Sequence, residues 1–116
     1  MKLTGKCRED FEKWYVKQGL NFNVVTDVEG NKDTYYIPVS YFNDYPQSMQ
    51  YGVYVDFFDS VGIRISIRNI GDSYWYVINY PNKKGLQDRY EGKFMSRPKA
   101  RTAAIEKANE IHNSKV

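Results

Sequence analysis

The chain has one cysteine and one histidine among its 116 residues, and only four prolines. A single cysteine excludes an internal disulfide, which removes any reason to expect an oxidising compartment. One cysteine and one histidine cannot build a Cys/His zinc site, which takes about four ligands. No stretch approaches the ~18 consecutive apolar residues of a transmembrane helix, and Met1 to Arg8 holds no apolar segment of signal-peptide length. The expectation is a cytoplasmic protein that does not use a membrane. Gly-rich phosphate loops, metalloprotease helices and Gly-x-Ser-x-Gly elbows are missing as well, so no cofactor or metal is expected. What the chain has in quantity is aromatic side chains: 16% of its residues, eleven of them tyrosine. Its length suits one domain over residues 1–116.

The net charge of +3 conceals a gradient. Residues 1–20 carry +2, residues 21–62 carry −5, residues 63–101 carry +6, and residues 102–116 are neutral. A segment as basic as 63–101 can steer an anionic partner, nucleic acid first, or simply keep the protein soluble. Asp27, Glu29, Asp33, Asp44, Asp56 and Asp59 oppose nucleic acid wherever they cluster, so such a partner has to use the other side of the molecule.

Periodicity divides the chain into an N-terminal helix and irregular edge region (1–45) and an α-β-β-β-α core (46–113). Cys7, Phe11, Trp14 and Tyr15 form one helical stripe over about Thr4 to Gln18, with Thr4 as the cap and Gly19 as the stop. Residues 20–39 alternate like an irregular edge hairpin turning at Glu29 to Asp33, with Pro38 unsuited to a central strand. From Pro46 a helix presents Tyr51, Tyr54, Val55, Phe58 and Val61, widened by Met49, Val53 and Phe57, and stops at Gly62. Three strands follow, with turns at Gly71-Asp72 and at Pro81 to Gly85. Ser96 then caps a last helix bearing Ala100, Ala103, Ala104, Ala108 and Ile111. The fold class is α+β, with three helices and one antiparallel meander.

If Gly71 and Asp72 are the loop, Ile67 meets Tyr76, Ile65 meets Ile78 and Ile63 meets Tyr80 on the face under the helices. Arg64, Ser66, Arg68, Trp75, Val77 and Asn79 then share the opposite face, joined by Arg89 and Lys93 through the same alternation. A slip of one residue would bury Arg64 and Arg68 unpaired. Trp75 and Val77 need shelter, so the first helix or residues 20–39 are expected to cover them. Left open, Trp75 would instead stack a base while Arg64 and Arg68 hold phosphates.

Ser96-Arg97-Pro98-Lys99-Ala100-Arg101, followed by Thr102 to Ala108, resembles the start of the last helix in double-stranded-RNA-binding domains, and the element order from Pro46 to Asn113 is similar to theirs. That resemblance implies phosphate contacts by Arg97 and Arg101, while Pro98 replaces a third basic position and Asn69-Ile70-Gly71-Asp72 stands where that family has Gly-Pro-x-His. Ser48 to Ile63 together with Ala100 to Ile111 resembles small uncharacterised proteins carried by phages and prophages of gut Bacteroides, which implies a compact accessory protein in a bacterial cytoplasm.

Enzymatic constellations are thin. Cys7 with His112 offers a nucleophile and a base in principle, but Cys7 falls on an apolar stripe, where a buried structural thiol is the simpler reading. Asp56 and Asp59 lack a third metal ligand. The chain therefore reads as a non-enzymatic binding module. Its first candidate site is a phosphate-binding track of Arg97, Lys99, Arg101, Lys93 and Arg89 for duplex or structured nucleic acid, and Arg64, Arg68 and Trp75 form a second candidate on the sheet. Alternatives are a module binding a host or phage protein, with Tyr35, Tyr36, Tyr41 and Tyr45 as contact surface, and a structural or dimeric accessory protein.

Overall fold

The elements run in the order α1 (Gly5–Lys17), β1 (Asn21–Val25), β2 (Lys32–Tyr36), α2 (Val39–Phe42), α3 (Gln47–Ser60), β3 (Arg64–Ile70), β4 (Ser73–Asn82), β5 (Gly85–Phe94) and α4 (Arg97–Asn113). The structure is a computed structural model describing residues 2–18, 21–25, 32–36 and 39–115, and for 21–25, 32–36 and 39 it describes the backbone path alone. The chain is α+β, with an N-terminal helix and a three-stranded antiparallel sheet between helices. β1 and β2 pair antiparallel with each other and form a separate two-stranded sheet, not an edge of the main one. Gly19, Gly30 and Pro38 lie outside the described residues. A short helix, α2, was not expected; it delivers Phe42 to the core.

The helix ends follow local chemistry. At the end of α3, the Ile63 N–H reaches Phe58 O at 2.8 Å and the Gly62 N–H reaches Asp59 O, with Gly62 at φ 85°. This pairing satisfies the last carbonyls through a left-handed residue, as the glycine implied. Ser96 caps α4, its Oγ accepting from the Lys99 N–H at 3.3 Å. Thr4 does not cap α1 as expected. Asn113, from the far end of the chain, accepts the Cys7 N–H at 2.8 Å and donates to Thr4 O at 2.9 Å, while Asn109 donates to the Thr4 hydroxyl. A tertiary contact thus takes over the orphan donor of α1. Gly5 is needed there: its φ is 60°, and an added Cβ would stand 3.2 Å from Asn113 Oδ1.

Helices α3 and α4 cover one face of the β3-β4-β5 sheet, and α1 packs on those helices. Phe57, Phe58, Ile63, Tyr76, Ile78, Ala104, Ile105 and Ala108 are all at most 1% exposed. The alanines bring α4 close to the sheet. On the helix side, the Phe11 ring lies 5.0 Å from Tyr54 and 5.4 Å from both Phe42 and Phe57. Each such burial is worth roughly 1.5–3 kcal/mol, so this aromatic knot anchors α1 and α2. Met49 is 54% exposed and does not widen the core face of α3. Gln50 is buried in its place, its amide donating to Tyr45 O and Asn43 O, the carbonyls just beyond α2.

The β3–β4 register is the expected one, Ile70 with Ser73 through Arg64 with Asn79. β5 departs from expectation. Its turn is tight, with Asn82 facing Gly85, so Asp88 pairs with Asn79, Arg89 with Ile78 and Tyr90 with Val77. Arg89 therefore lies on the helix side, where its charge acts on the buried Tyr76 phenol, and not beside Arg64. The register shifts between Tyr74 and Tyr76, so Gly92 and Lys93 both oppose Trp75, with Lys93 at φ 65°. This is a β-bulge.

Of the two segments expected to cover the outer sheet face, α1 lies elsewhere, packed on α2, α3 and α4. The stripe of α1, Cys7, Phe11 and Tyr15, is already buried against the helical layer. Of residues 20–39, the described strands pair only with each other.

Candidate functional site

The outer face of the sheet is built from three cross-strand rows. Arg64, Asn79 and Asp88 form the first, Ser66, Val77 and Tyr90 the second, and Arg68, Trp75 and the Gly92 bulge the third. Side chains on one face repeat every second residue, so successive rows stand about 6.6 Å apart. A shallow groove of about 460 Å³ runs over this face, lined among others by Arg64, Arg68, Trp75, Val77, Asp88 and Tyr90.

Trp75 is half-buried although no described helix lies over it, because its indole rests on Gly92. A Cβ built on Gly92 would stand 1.8 Å from Cδ2 and 2.2 Å from both Cε2 and Cε3. Near-equal distances to the two neighbours of the closest atom place that Cβ above the ring, not at its edge. The indole therefore lies flat along the sheet, one face on the backbone of β5 and the other outward. Only glycine permits so close an approach.

Tyr90 is 63% exposed, and its hydroxyl donates to Asp88 Oδ2 at 3.2 Å. That bond and the carboxylate's charge hold the phenol above its ordinary value, with Arg68 pulling the other way. The Asn79 amide donates to the other oxygen of Asp88. Arg64 and Arg68 are exposed and have no carboxylate partner among the described residues. The face thus offers aromatic and aliphatic surface in its middle, two free guanidinium groups along β3 and one braced carboxylate on β5.

The basic start of α4 is arranged differently. Arg97 lies over the Tyr74 ring at 5.7 Å and Arg101 over the Tyr51 ring at 5.1 Å. Three cations at the positive end of a helix are unfavourable in isolation, but here two of them meet the negative faces of aromatic rings. Arg101 is half-buried, and its Nε is buried without a hydrogen-bond partner. Lys99, Arg89 and Lys93 are exposed. Tyr74 has the same strand parity as Tyr76, so this cluster belongs to the helix side of the sheet. Arg97, Lys99, Arg101 and Arg89 are consequently separated from Arg64, Arg68 and Trp75 by the sheet itself.

The remaining candidates have structural surroundings. Cys7 is fully buried, and burial pushes its thiol up to about 12. His112 Nε2 lies 2.8 Å from Asp10 Oδ2, which ties α4 to α1. Asp56 and Asp59 are exposed on α3, and among the described residues no group of three His, Cys, Asp or Glu side chains could hold a metal. Asp44 is also exposed, whereas Asp27 and Glu29 lie outside the described residues. Tyr41 is exposed and Tyr45 packs against the core; the side chains of Tyr35 and Tyr36 are outside the description.

Sequence reasoning missed Tyr90, Asp88 and Gly92. A signal was present: an isolated glycine in a strand pattern marks a bulge or a close approach, and Gly92 stands on the strand that returns past Trp75. No protein family, curated protein or solved structure matches the chain.

Proposed function

We propose that the protein is a non-enzymatic binding module that holds single-stranded nucleic acid on the outer face of its sheet. The observation that carries this reading is Trp75, laid flat on Gly92 with one indole face outward. A base stacks on such a ring without rearrangement, and every base has a face to offer. Arg64 and Arg68 supply the cations for phosphates and, among the described residues, spend none of their charge on a carboxylate. They stand four residues apart on β3, roughly 13 Å along the strand, so they engage separate phosphates of an extended chain. The exposed acids of α3 lie on the other side of the sheet and do not oppose this ligand. This reading moves the preferred site from the start of α4 to the sheet, because Arg97 and Arg101 already have aromatic partners.

The test is fluorescence anisotropy of labelled uridine and thymidine oligomers across a salt series. Trp75→Ala is expected to weaken binding about tenfold, since one stacked base is worth ~1–3 kcal/mol. Arg64→Gln and Arg68→Gln are each expected to flatten the log–log salt slope by about 0.7. Absence of salt-sensitive binding at low ionic strength overturns the reading. So does binding that ignores Trp75 but is lost in Arg97→Ala with Arg101→Ala, which would return the site to the helix start.

A further inference from the structure

Asp88 is out of place on a surface that attracts phosphates. It faces outward on β5 in the row of Arg64 and Asn79, and it is held by two donors, the Asn79 amide on one oxygen and the Tyr90 hydroxyl on the other. Each carboxylate oxygen can accept more than one hydrogen bond, so a braced Asp88 still presents acceptor capacity along the groove. Its charge repels a phosphate, whereas Arg64 and Arg68 on β3 attract one. The face is therefore polarised across its width. On the platform reading above, the sugar-phosphate chain would run along β3 and the bases would lie over β4 with their edges toward β5. Two strand spacings, about 9.6 Å, span the distance from a phosphate to the far edge of its own base.

We infer that Asp88 makes this face selective for guanine at the nucleotide next to the one stacked on Trp75, an inference that rests on the platform reading above. Consecutive rows stand about one extended nucleotide apart, so a base following the one on Trp75 lies over Val77 beside Tyr90, with Asp88 one row further on and hydrogen-bonded to the Tyr90 hydroxyl. A carboxylate only accepts. Guanine alone among the common bases turns two adjacent donors, its N1–H and its 2-amino group, to the edge away from the sugar. Adenine and cytosine offer an amino group next to an unprotonated ring nitrogen, whose lone pair faces the carboxylate, and uracil offers one N–H flanked by carbonyls. Reading single-stranded bases by their pairing edges is the usual source of specificity on such platforms.

The experiment compares labelled uridine oligomers carrying a single central guanine, adenine or inosine, with the deoxy series alongside. The full chain is used as wild type, Asp88→Asn and Trp75→Ala. Guanine is expected to bind about tenfold or more tightly than adenine, in the ribose and deoxyribose series alike because the selecting groups are on the base. Inosine, which keeps N1–H and lacks the 2-amino group, falls between. Asp88→Asn is expected to bring the guanine-to-adenine ratio to about one, while the uridine-only probe binds at least as well as before because a negative charge has gone. Equal binding of guanine and adenine by the wild type, a ratio that survives Asp88→Asn, or a ratio confined to one sugar overturns the guanine inference. Trp75-dependent binding of the uridine probe would then leave the platform standing. If no probe binds, or Trp75→Ala changes nothing, the platform and the guanine inference both fall.

Discussion

Gly92→Ala is expected to destabilise this protein, against the usual trend for glycine within a strand. The added methyl would stand 1.8 Å from Cδ2 of Trp75. Carbon atoms rest at about 3.5–4.0 Å, so the indole has to lift by roughly 2 Å. Because no helix among the described residues lies over the ring, it can rise without crushing the core; the loss is its contact with the backbone of β5. Overpacking of this kind costs ~1–3 kcal/mol, partly offset by the ~0.5–1 kcal/mol that alanine gains over glycine in a regular element. The net expectation is a loss of about 1 kcal/mol, which lowers the Tm of a domain near this size by roughly 4–8 °C. In a Trp75→Ala background the obstruction is gone, and Gly92→Ala should stabilise by ~0.5–1 kcal/mol. Urea denaturation of the four proteins of this cycle, followed by far-UV circular dichroism, gives the coupling directly. A Gly92→Ala effect of the same sign in both backgrounds would refute the flat indole and remove the main support for a stacking platform.

Two further predictions concern the contacts between the chain's ends. The hydrogen bond from His112, then the pairing with Lys6, hold the Asp10 carboxyl below its ordinary range. A depressed folded-state value means that the stabilisation is complete above the unfolded-state value and is lost as pH falls through the folded one. Asp10→Asn should therefore lower the urea midpoint at neutral pH, and the gap from wild type should close as pH drops below about 4; a gap that stays constant into strong acid would contradict this. Asn113→Ala removes the partners of the Cys7 N–H and of Thr4 O, at ~1 kcal/mol per hydrogen bond. It should cost about 2 kcal/mol and speed hydrogen exchange at the Cys7 amide, and an unchanged exchange rate would show that Asn113 does not cap α1.

The sequence by itself determined what depends on near neighbours. Gly62 and Ser96 stop α3 and cap α4 because the groups they satisfy lie within a few residues. The two-residue turn at Gly71-Asp72 set every pair of the β3–β4 ladder, and the cost of burying Arg64 and Arg68 chose the faces. Tertiary structure decided what depends on competition between distant surfaces. The apolar stripe of α1 could be buried on the helical layer or on the outer sheet, and periodicity is blind to which. Asn113 and Asp10 with His112 settle it by tying α1 to α4, which leaves Trp75 with no helix over it among the described residues. The parity of β5 followed from a turn tighter than composition suggested, which put Asp88 and Tyr90 on the outer face in place of Arg89, while the bulge at Gly92 and Lys93 shifts the pairing only beyond Glu91. The cations of α4 read as free charges in one dimension, but the tyrosines that neutralise their cost, Tyr51 and Tyr74, come from other elements. The platform has the same origin: an isolated glycine marks β5 for a bulge or a close approach, but only the register that sets Trp75 on it turns an aromatic residue into a surface.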